Sequence, residues 1–328
     1  MNYKIVFDLN GNDNGQASGI AAAKQFAKQN PNFQISLIGD FQKKSDLELT
    51  NISNIKLLNN PTTPTNPKDL RGSMMEKTSM NQAIDLLKNK EADAILSSGD
   101  SGCYISSLTF KIGRLNNVSR PAFMPICNAI NGQKFLFMDV GANLVAKSDF
   151  LVEWAKLGSA FYEVMFNKPN PSVALLNIGT EDYKGNENAV EANKILKEDS
   201  NLNYVGFNET RDLFRGLVDV AVIDGYGGNL VLKSYEGAIF TFKDLLKEKF
   251  TKTFLRKLHA LALKKAFKEA GDVLDYRQVG SAWVIGIDGI AIKAHGSSDT
   301  LSYLSALNTI KTALEKDLLN KLKDKLND

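Results

Sequence analysis

A chain of 328 residues with 43% apolar and 23% charged residues has an ordinary soluble, globular composition and the length for one large α/β domain or two modest ones. The net charge of +3 is too small to argue for nucleic-acid binding. The two cysteines cannot form a disulfide framework and lack metal-ligand spacing, and no window approaches the ~18 consecutive apolar residues of a bilayer span. The start, Met1-Asn2-Tyr3-Lys4-Ile5-Val6-Phe7, shows no basic region before an apolar core, so no secretory signal is expected. The cysteine usage fits a reducing, cytoplasmic setting.

Along the chain, strand-like apolar runs at Ile5–Phe7, Gln34–Ile38, Ala94–Leu96, Phe135–Val140, Val173–Asn177, Tyr204–Phe207, Val220–Ile223 and Trp283–Ile287 alternate with helical patterns. The helical stretches are Ala17–Gln29, Met80–Lys88, Asp149–Phe166, Ala189–Lys197 and Thr300–Leu326. The alternation predicts a mostly parallel sheet with helices on both faces, in a single domain spanning residues 1–328. Asn59–Pro67, the one proline-rich stretch, reads as a surface excursion, and no internal repeat is visible.

Loops at the strand ends share one composition. They are Asp8-Leu9-Asn10-Gly11-Asn12-Asp13, Gly39-Asp40, Ser97-Ser98-Gly99-Asp100-Ser101-Gly102, Asp139-Val140-Gly141-Ala142-Asn143, Asn177-Ile178-Gly179 and Asp224 to Asn229. Any one of them is what a tight turn uses. Together, on one rim, they predict an oxygen- and amide-rich cleft with little hydrophobic lining at the carboxyl ends of the strands. The clearest is Val220–Ile223 running through Asp224-Gly225-Tyr226-Gly227-Gly228-Asn229 into Leu230-Val231-Leu232. A strand, a glycine-rich turn and a helix start aim backbone N–H groups at an anion. Asp8, Asp13, Asp139 and Asp224 have no ligand signature and read as turn residues bonding their own backbone, so no metal is expected.

The order and wording of these loops resemble the acyl-ACP:phosphate acyltransferase family of bacterial phospholipid synthesis, from Ile5 to about Ser298. The strongest piece is Leu175-Leu176-Asn177-Ile178-Gly179 with Glu181 and Lys184-Gly185-Asn186. Beside it stand Asp139–Asn143, Arg120-Pro121-Ala122, Asp224-Gly225 with Gly228-Asn229, Glu236-Gly237 and His295-Gly296-Ser297-Ser298. The chain departs from the family pattern at Asn12, Asp100 and Thr180.

The resemblance implies an α/β/α sandwich like that of isocitrate dehydrogenase and phosphotransacetylase, assembled as a homodimer. It implies that inorganic phosphate attacks the thioester of a fatty acyl chain on acyl carrier protein, releasing acyl-phosphate and the carrier thiol. It also implies a membrane glycerol-phosphate acyltransferase as the consumer of the product. Phosphate is itself the nucleophile, so no protein nucleophile and no cofactor are needed; positioning and aimed donors supply the catalysis. Donors would come from Ser98, Gly99, Ser101, Gly102, Gly225 and Gly228, with the side chains of Asn143, Asn177 and Asn229. Cations beside the glycine motifs are Arg120, Lys147, Lys184, Arg211 and Lys233, with Arg120 and Lys184 preferred as charge partners. His295 would protonate the leaving thiolate or bind phosphate, unless it is a packed structural residue. Lys184, His295 and Asn229 are the catalytic candidates, and Cys103 and Cys127 read as small core residues.

Residues 236–270 carry nine Lys or Arg against four acids, with Phe242, Leu246, Phe250, Phe254, Leu258 and Leu261 on one helical face. The stretch suits an anionic bilayer, an acidic carrier protein or an ordinary packed dimer helix. The resemblance favours reversible membrane or partner contact by a cytoplasmic, peripherally membrane-associated enzyme. Two other readings stand beside this one: a phosphotransacetylase-like enzyme using a coenzyme A thioester, and a catalytically impaired scaffold that docks carrier protein at the membrane.

Overall fold

In the computed structural model, which describes residues 2–41, 52–273 and 281–327, alternate residues of the central strands feed two different cores. In β1 (Tyr3–Asp8), Ile5 and Phe7 point into one cluster and Val6 into another, the period-2 alternation of a strand covered on both faces. The first face is covered by α1 (Ala17–Gln29), α5 (Ser148–Phe166), α6 (Glu187–Glu198), α10 (Thr300–Glu315) and α11 (Leu318–Asn327). The second is covered by α3 (Ser79–Lys88), α4 (Ser101–Lys111) and the start of α7 (Gly225–Thr251), with α2 (Leu70–Met75) packed on α4. The result is the expected three-layer α/β/α sandwich.

Among the described residues, eleven strands form one sheet. After β1 come β2 (Phe33–Gly39), β3 (Ile55–Asn59), β4 (Ala94–Ser97), β5 (Ala122–Asn128), β6 (Lys134–Met138), β7 (Val173–Asn177), β8 (Tyr204–Glu209), β9 (Val220–Val222), β10 (Ser281–Ile285) and β11 (Ile290–Ala294). Their order is β3-β2-β1-β4-β11-β10-β5-β6-β9-β7-β8. Three of these, β3, β5 and β11, fall outside the strands the sequence pattern marks, as do α2 and α4. The long C-terminal helix is broken between α10 and α11, where Asp317 adopts the left-handed conformation at φ 54°.

The sheet is parallel in two blocks that run in opposite directions. β3, β2, β1, β4 and β11 are mutually parallel, and so are β6, β9, β7 and β8. β5 joins the blocks. Its residues 122–125 pair antiparallel with β10, and its residues 126–128 pair antiparallel with β6. One row of paired residues, Ser97, Lys293, Ala282 and Pro125, marks where the first block ends. The second block ends close by, where Phe123 N donates to Asp139 Oδ1 at 3.0 Å and Val140 N to Phe123 O at 3.1 Å. The carboxyl ends of both blocks therefore meet over β5. The strand-end loops form two facing lips, not the single rim that an all-parallel reading requires.

Gly225 and Gly228 are the fully buried residues of α7, and Val231 and Leu232 pack partly buried against the sheet; beyond these turns the helix leaves it. α8 (Phe254–Ala262) and α9 (Lys264–Val273) follow it, and α9 packs back on its end, where the Phe267 and Phe250 ring centroids lie 5.0 Å apart. Phe242, Phe254, Leu258 and Leu261 are exposed, and His259 with them. The apolar face of this stretch does not cover the sheet.

Candidate active site

Where the two lips meet, a cleft of about 320 Å³ opens between the N-terminal turn of α4 and the second and third turns of α7. Its floor is Phe123, Pro125, Val140 and Ala282, and its polar lining includes Ser101, Asn229, Lys233, Glu236, Lys293 and His295. The floor is thus mostly apolar, contrary to the little hydrophobic lining expected of the loops, because the strands themselves supply Phe123, Pro125 and Ala282; with a few converging polar groups it suits a small ligand.

The lip from the first block is built on a buried carboxylate. Asp8 ends β1 with no exposure; it accepts from Ser97 Oγ at 2.7 Å and from Asn10 N at 3.3 Å. Burial outweighs these bonds and pushes its pKa up to about 6. Ser97 Oγ also accepts from Gly99 N at 3.0 Å, and Ser98 Oγ donates to Asn10 O at 3.3 Å. The N–H of Gly99 and the hydroxyl of Ser98 are thus spent on the loop itself. α4 then starts from Asp100, whose carboxylate accepts from Cys103 N at 2.9 Å, an N-cap bond. Among the described residues no protein acceptor meets the N–H groups of Ser101 and Gly102, and Ser101 faces the cleft. Asn12 turns the other way, donating to Ser298 O at 3.1 Å and Tyr303 Oη at 2.5 Å.

On the facing lip, Asp139 gathers its own loop. It accepts from the N–H groups of Phe123, Gly141, Ala142 and Asn143 at 2.7–3.2 Å, and from Asn143 Nδ2 at 3.0 Å. Asn143 Nδ2 also donates to Pro121 O at 2.9 Å, so this expected substrate donor is spent on the loop. The glycine-rich start of α7 differs from expectation in the same way. Gly225 N donates to Asn143 O at 2.8 Å, Gly227 N to Asp224 Oδ1 at 2.8 Å and Gly228 N to Asp224 O at 2.9 Å. A β-carbon at Gly228 would lie 1.8 Å from the Asp139 carbonyl oxygen, and one at Gly225 2.5 Å from that of Asn143. These two glycines let the turn press against the neighbouring loop. They are not an anion cradle, because their N–H groups already have partners.

Asn229, one turn on, has an exposed side chain in the cleft, facing Gly141. Lys233 is ion-paired with Glu236 at 2.8 Å, and both line the cleft. His295 follows β11; its Nδ1 accepts from Ser297 N at 3.1 Å and lies 2.8 Å from Ser297 Oγ, which leaves the proton of the neutral ring on Nε2. Burial, and then the nearby charges of Lys233 and Lys293, hold its pKa below the usual value, so the ring is neutral at pH 7.

The other expected cations lie elsewhere. Lys184 pairs with Glu181 at 2.7 Å in the loop after β7, where Asn177 Nδ2 holds Lys184 O at 2.8 Å. Lys147 is the exposed N-cap of α5. Arg120 is exposed before β5, with its carbonyl accepting from Trp154 Nε1 at 2.8 Å. Arg211 pairs with Glu209 at 2.9 Å. None of the four lines the cleft. The residue that sequence reasoning missed is Lys293. Its signal is a single lysine in the strand Ile290-Ala291-Ile292-Lys293-Ala294, directly before His295. Cys103 and Cys127 are free and buried, as expected of core residues.

Residues 3–321 match the model of a family described as fatty acid synthesis protein. The chain is 52% identical to a phosphate acyltransferase from Mycoplasmopsis agalactiae, covering 99% of this chain and 98% of that one. It is 48% identical to a phosphate acyltransferase from Mycoplasmopsis pulmonis, covering 98% and 99%. Among solved structures, a phosphotransacetylase from Streptococcus pyogenes superposes with a TM-score of 0.61 at 17% identity, covering 95% of this chain and 94% of that one. One from Staphylococcus aureus does so with a TM-score of 0.60 at 16% identity and the same coverage. These two share the fold.

Proposed function

This chain belongs to the fatty acid synthesis protein family of phosphate acyltransferases, and on that premise we propose that its cleft between α4 and α7 is where phosphate meets the acyl donor. The chain is an acyltransferase. The acyl group arrives as the thioester of acyl carrier protein. A phosphate oxygen attacks the thioester carbonyl carbon, and the oxyanion that forms collapses as the carbon–sulfur bond breaks. Acyl-phosphate and the carrier thiolate leave, and the acyl-phosphate is passed to an acyltransferase of the membrane.

The observation that carries this reading is the pair of N–H groups at Ser101 and Gly102, without protein acceptors, beside the Ser101 hydroxyl at the N-terminus of an eleven-residue helix. Such a terminus favours a dianion. Asn229 lies across the cleft, where its amide can donate to the developing oxyanion, an interaction worth roughly 3 kcal/mol when well aimed. His295, with its proton on Nε2, would donate a hydrogen bond to the departing sulfur, which leaves as the thiolate. The enzyme acts as a homodimer in the cytoplasm, and α7 to α9 rest it reversibly on an anionic membrane surface. The test is release of thiol from acyl carrier protein thioester with and without inorganic phosphate, with the coenzyme A thioester as comparison. Release that needs phosphate and prefers the carrier supports the proposal. Equal use of coenzyme A favours the phosphotransacetylase-like alternative, and release indifferent to phosphate refutes both.

A further inference from the structure

Lys293 stands in the cleft lining without an acidic partner. Its Nζ donates to Ala294 O and, at 3.4 Å, to Ser98 O. Among the described residues no carboxylate oxygen lies within 4.0 Å of it. Carbonyl groups orient an ammonium but do not neutralise it, and a buried charge is costly unless a counter-charge is supplied.

Three acids face Lys293, two of them bonded to their own loops. From β1, Asp8 accepts from Ser97 Oγ and Asn10 N. From the cap of α4, Asp100 accepts from Cys103 N. From the first loop, Asp13 packs over Gly296, close enough that a β-carbon there would meet Asp13 Oδ2 at 2.8 Å. Their field opposes the effect of burial on the amine, and the balance sets its pKa at about 8. On the open side are His295, neutral at pH 7, and from α7 the paired Lys233 and Glu236. Lys233 already has its carboxylate, so Lys293 is the cleft lysine left for a ligand.

We propose that Lys293 is the principal cation for the phosphate substrate, holding the dianion against the N-terminal N–H groups of α4, with Asp8 as a positioning residue behind it. Ser98 O fixes the geometry, because the carbonyl that orients Nζ belongs to the loop leading directly into the open N–H groups of Ser101 and Gly102. Asp8 acts through Ser97, fixing the loop that carries that carbonyl. The assignment rests on the cleft being the site of acyl transfer to phosphate.

The experiment uses the full chain with acyl carrier protein thioester, varying inorganic phosphate and acyl donor separately. Lys293→Ala should raise the KM for phosphate by about tenfold or more, the usual scale for losing a charge-assisted hydrogen bond, and leave the KM for the acyl donor within about twofold. Phosphate should raise the melting temperature of the wild type and not that of the variant. Lys293→Arg provides a second reading that does not require the charge to be removed. Wild-type phosphate binding should weaken as pH rises through about 8, where the amine loses its proton, whereas a guanidinium stays charged and moves that limit upward. Asp8→Asn should raise the KM for phosphate less than Lys293→Ala does. An unchanged phosphate KM in Lys293→Ala, or coincident upper pH limits for the wild type and Lys293→Arg, overturns the assignment alone. Wild-type thiol release that ignores phosphate overturns the underlying reading instead.

Discussion

Gly228 lies so close beneath Asp139 that a β-carbon on it would sit 1.8 Å from the Asp139 carbonyl oxygen. The atom it meets is backbone in a loop pinned by its own carboxylate, so the neighbour cannot step aside. Gly228→Ala should cost about 3 kcal/mol or more of stability. Gly237→Ala, farther along α7 with nothing within 4 Å, should be neutral or gain up to about 1 kcal/mol from helix propensity. Denaturant midpoints of the two variants check this, and equal midpoints would remove the packing role given to Gly228.

Asp8 gives the fold a pH signature. Its pKa rises from 3.8 unfolded to about 6 folded because burial disfavours the charge. Between these values the folded chain binds more protons, so stability falls as pH rises through the window, by up to about 3 kcal/mol in all. Asp8→Asn should flatten that part of the profile. Urea unfolding from pH 4 to 7 would show it, and a variant with the wild-type slope would contradict the assignment.

His295 should titrate below 6.5, because burial and the cations Lys233 and Lys293 disfavour its protonated form. Protonation therefore favours the unfolded chain, and this group's contribution to stability increases as pH rises through the window below 6.5. Lys233→Ala should move the midpoint upward. Imidazole proton resonances followed from pH 4 to 8 measure both effects; a wild-type midpoint above 6.5 would reverse the assigned electrostatics.

The exposed face of α7 to α9 makes a separate prediction. Wild-type protein should co-sediment with anionic vesicles at low salt, and Phe254→Glu with Leu258→Glu should abolish this while leaving the melting temperature within about 1 °C, since both side chains are exposed. Absence of wild-type binding to those vesicles removes the membrane reading of this segment.

Much of the fold is legible in the sequence because apolar runs such as Val173–Asn177 are buried on both faces and leave no alternative to a central strand. β5 is harder to read, since Ala122-Phe123-Met124-Pro125-Ile126-Cys127-Asn128 carries a proline inside a strand, normally a sign of an edge. The direction of the second block depends on β5 and could not be read without it. At the site, the glycine-rich turns are visible as turns, but which N–H groups remain open is a matter of partners. Gly99 and Gly228 lose theirs to Ser97 and Asp224 close by in the chain, whereas Gly225 loses its own to Asn143 of a different loop, a contact that no local pattern announces. Lys293 escaped notice because its strand is short and apolar and lacks a glycine motif of its own.

β5 hydrogen-bonds with its first four residues to β10, which borders the first block, and with its last three to β6 of the second. The gap between α4 and α7 is consequently gauged by a single extended peptide, much as the jaws of a caliper are gauged by their bar. The loops around the cleft can then vary in sequence without resetting the distance between its two lips.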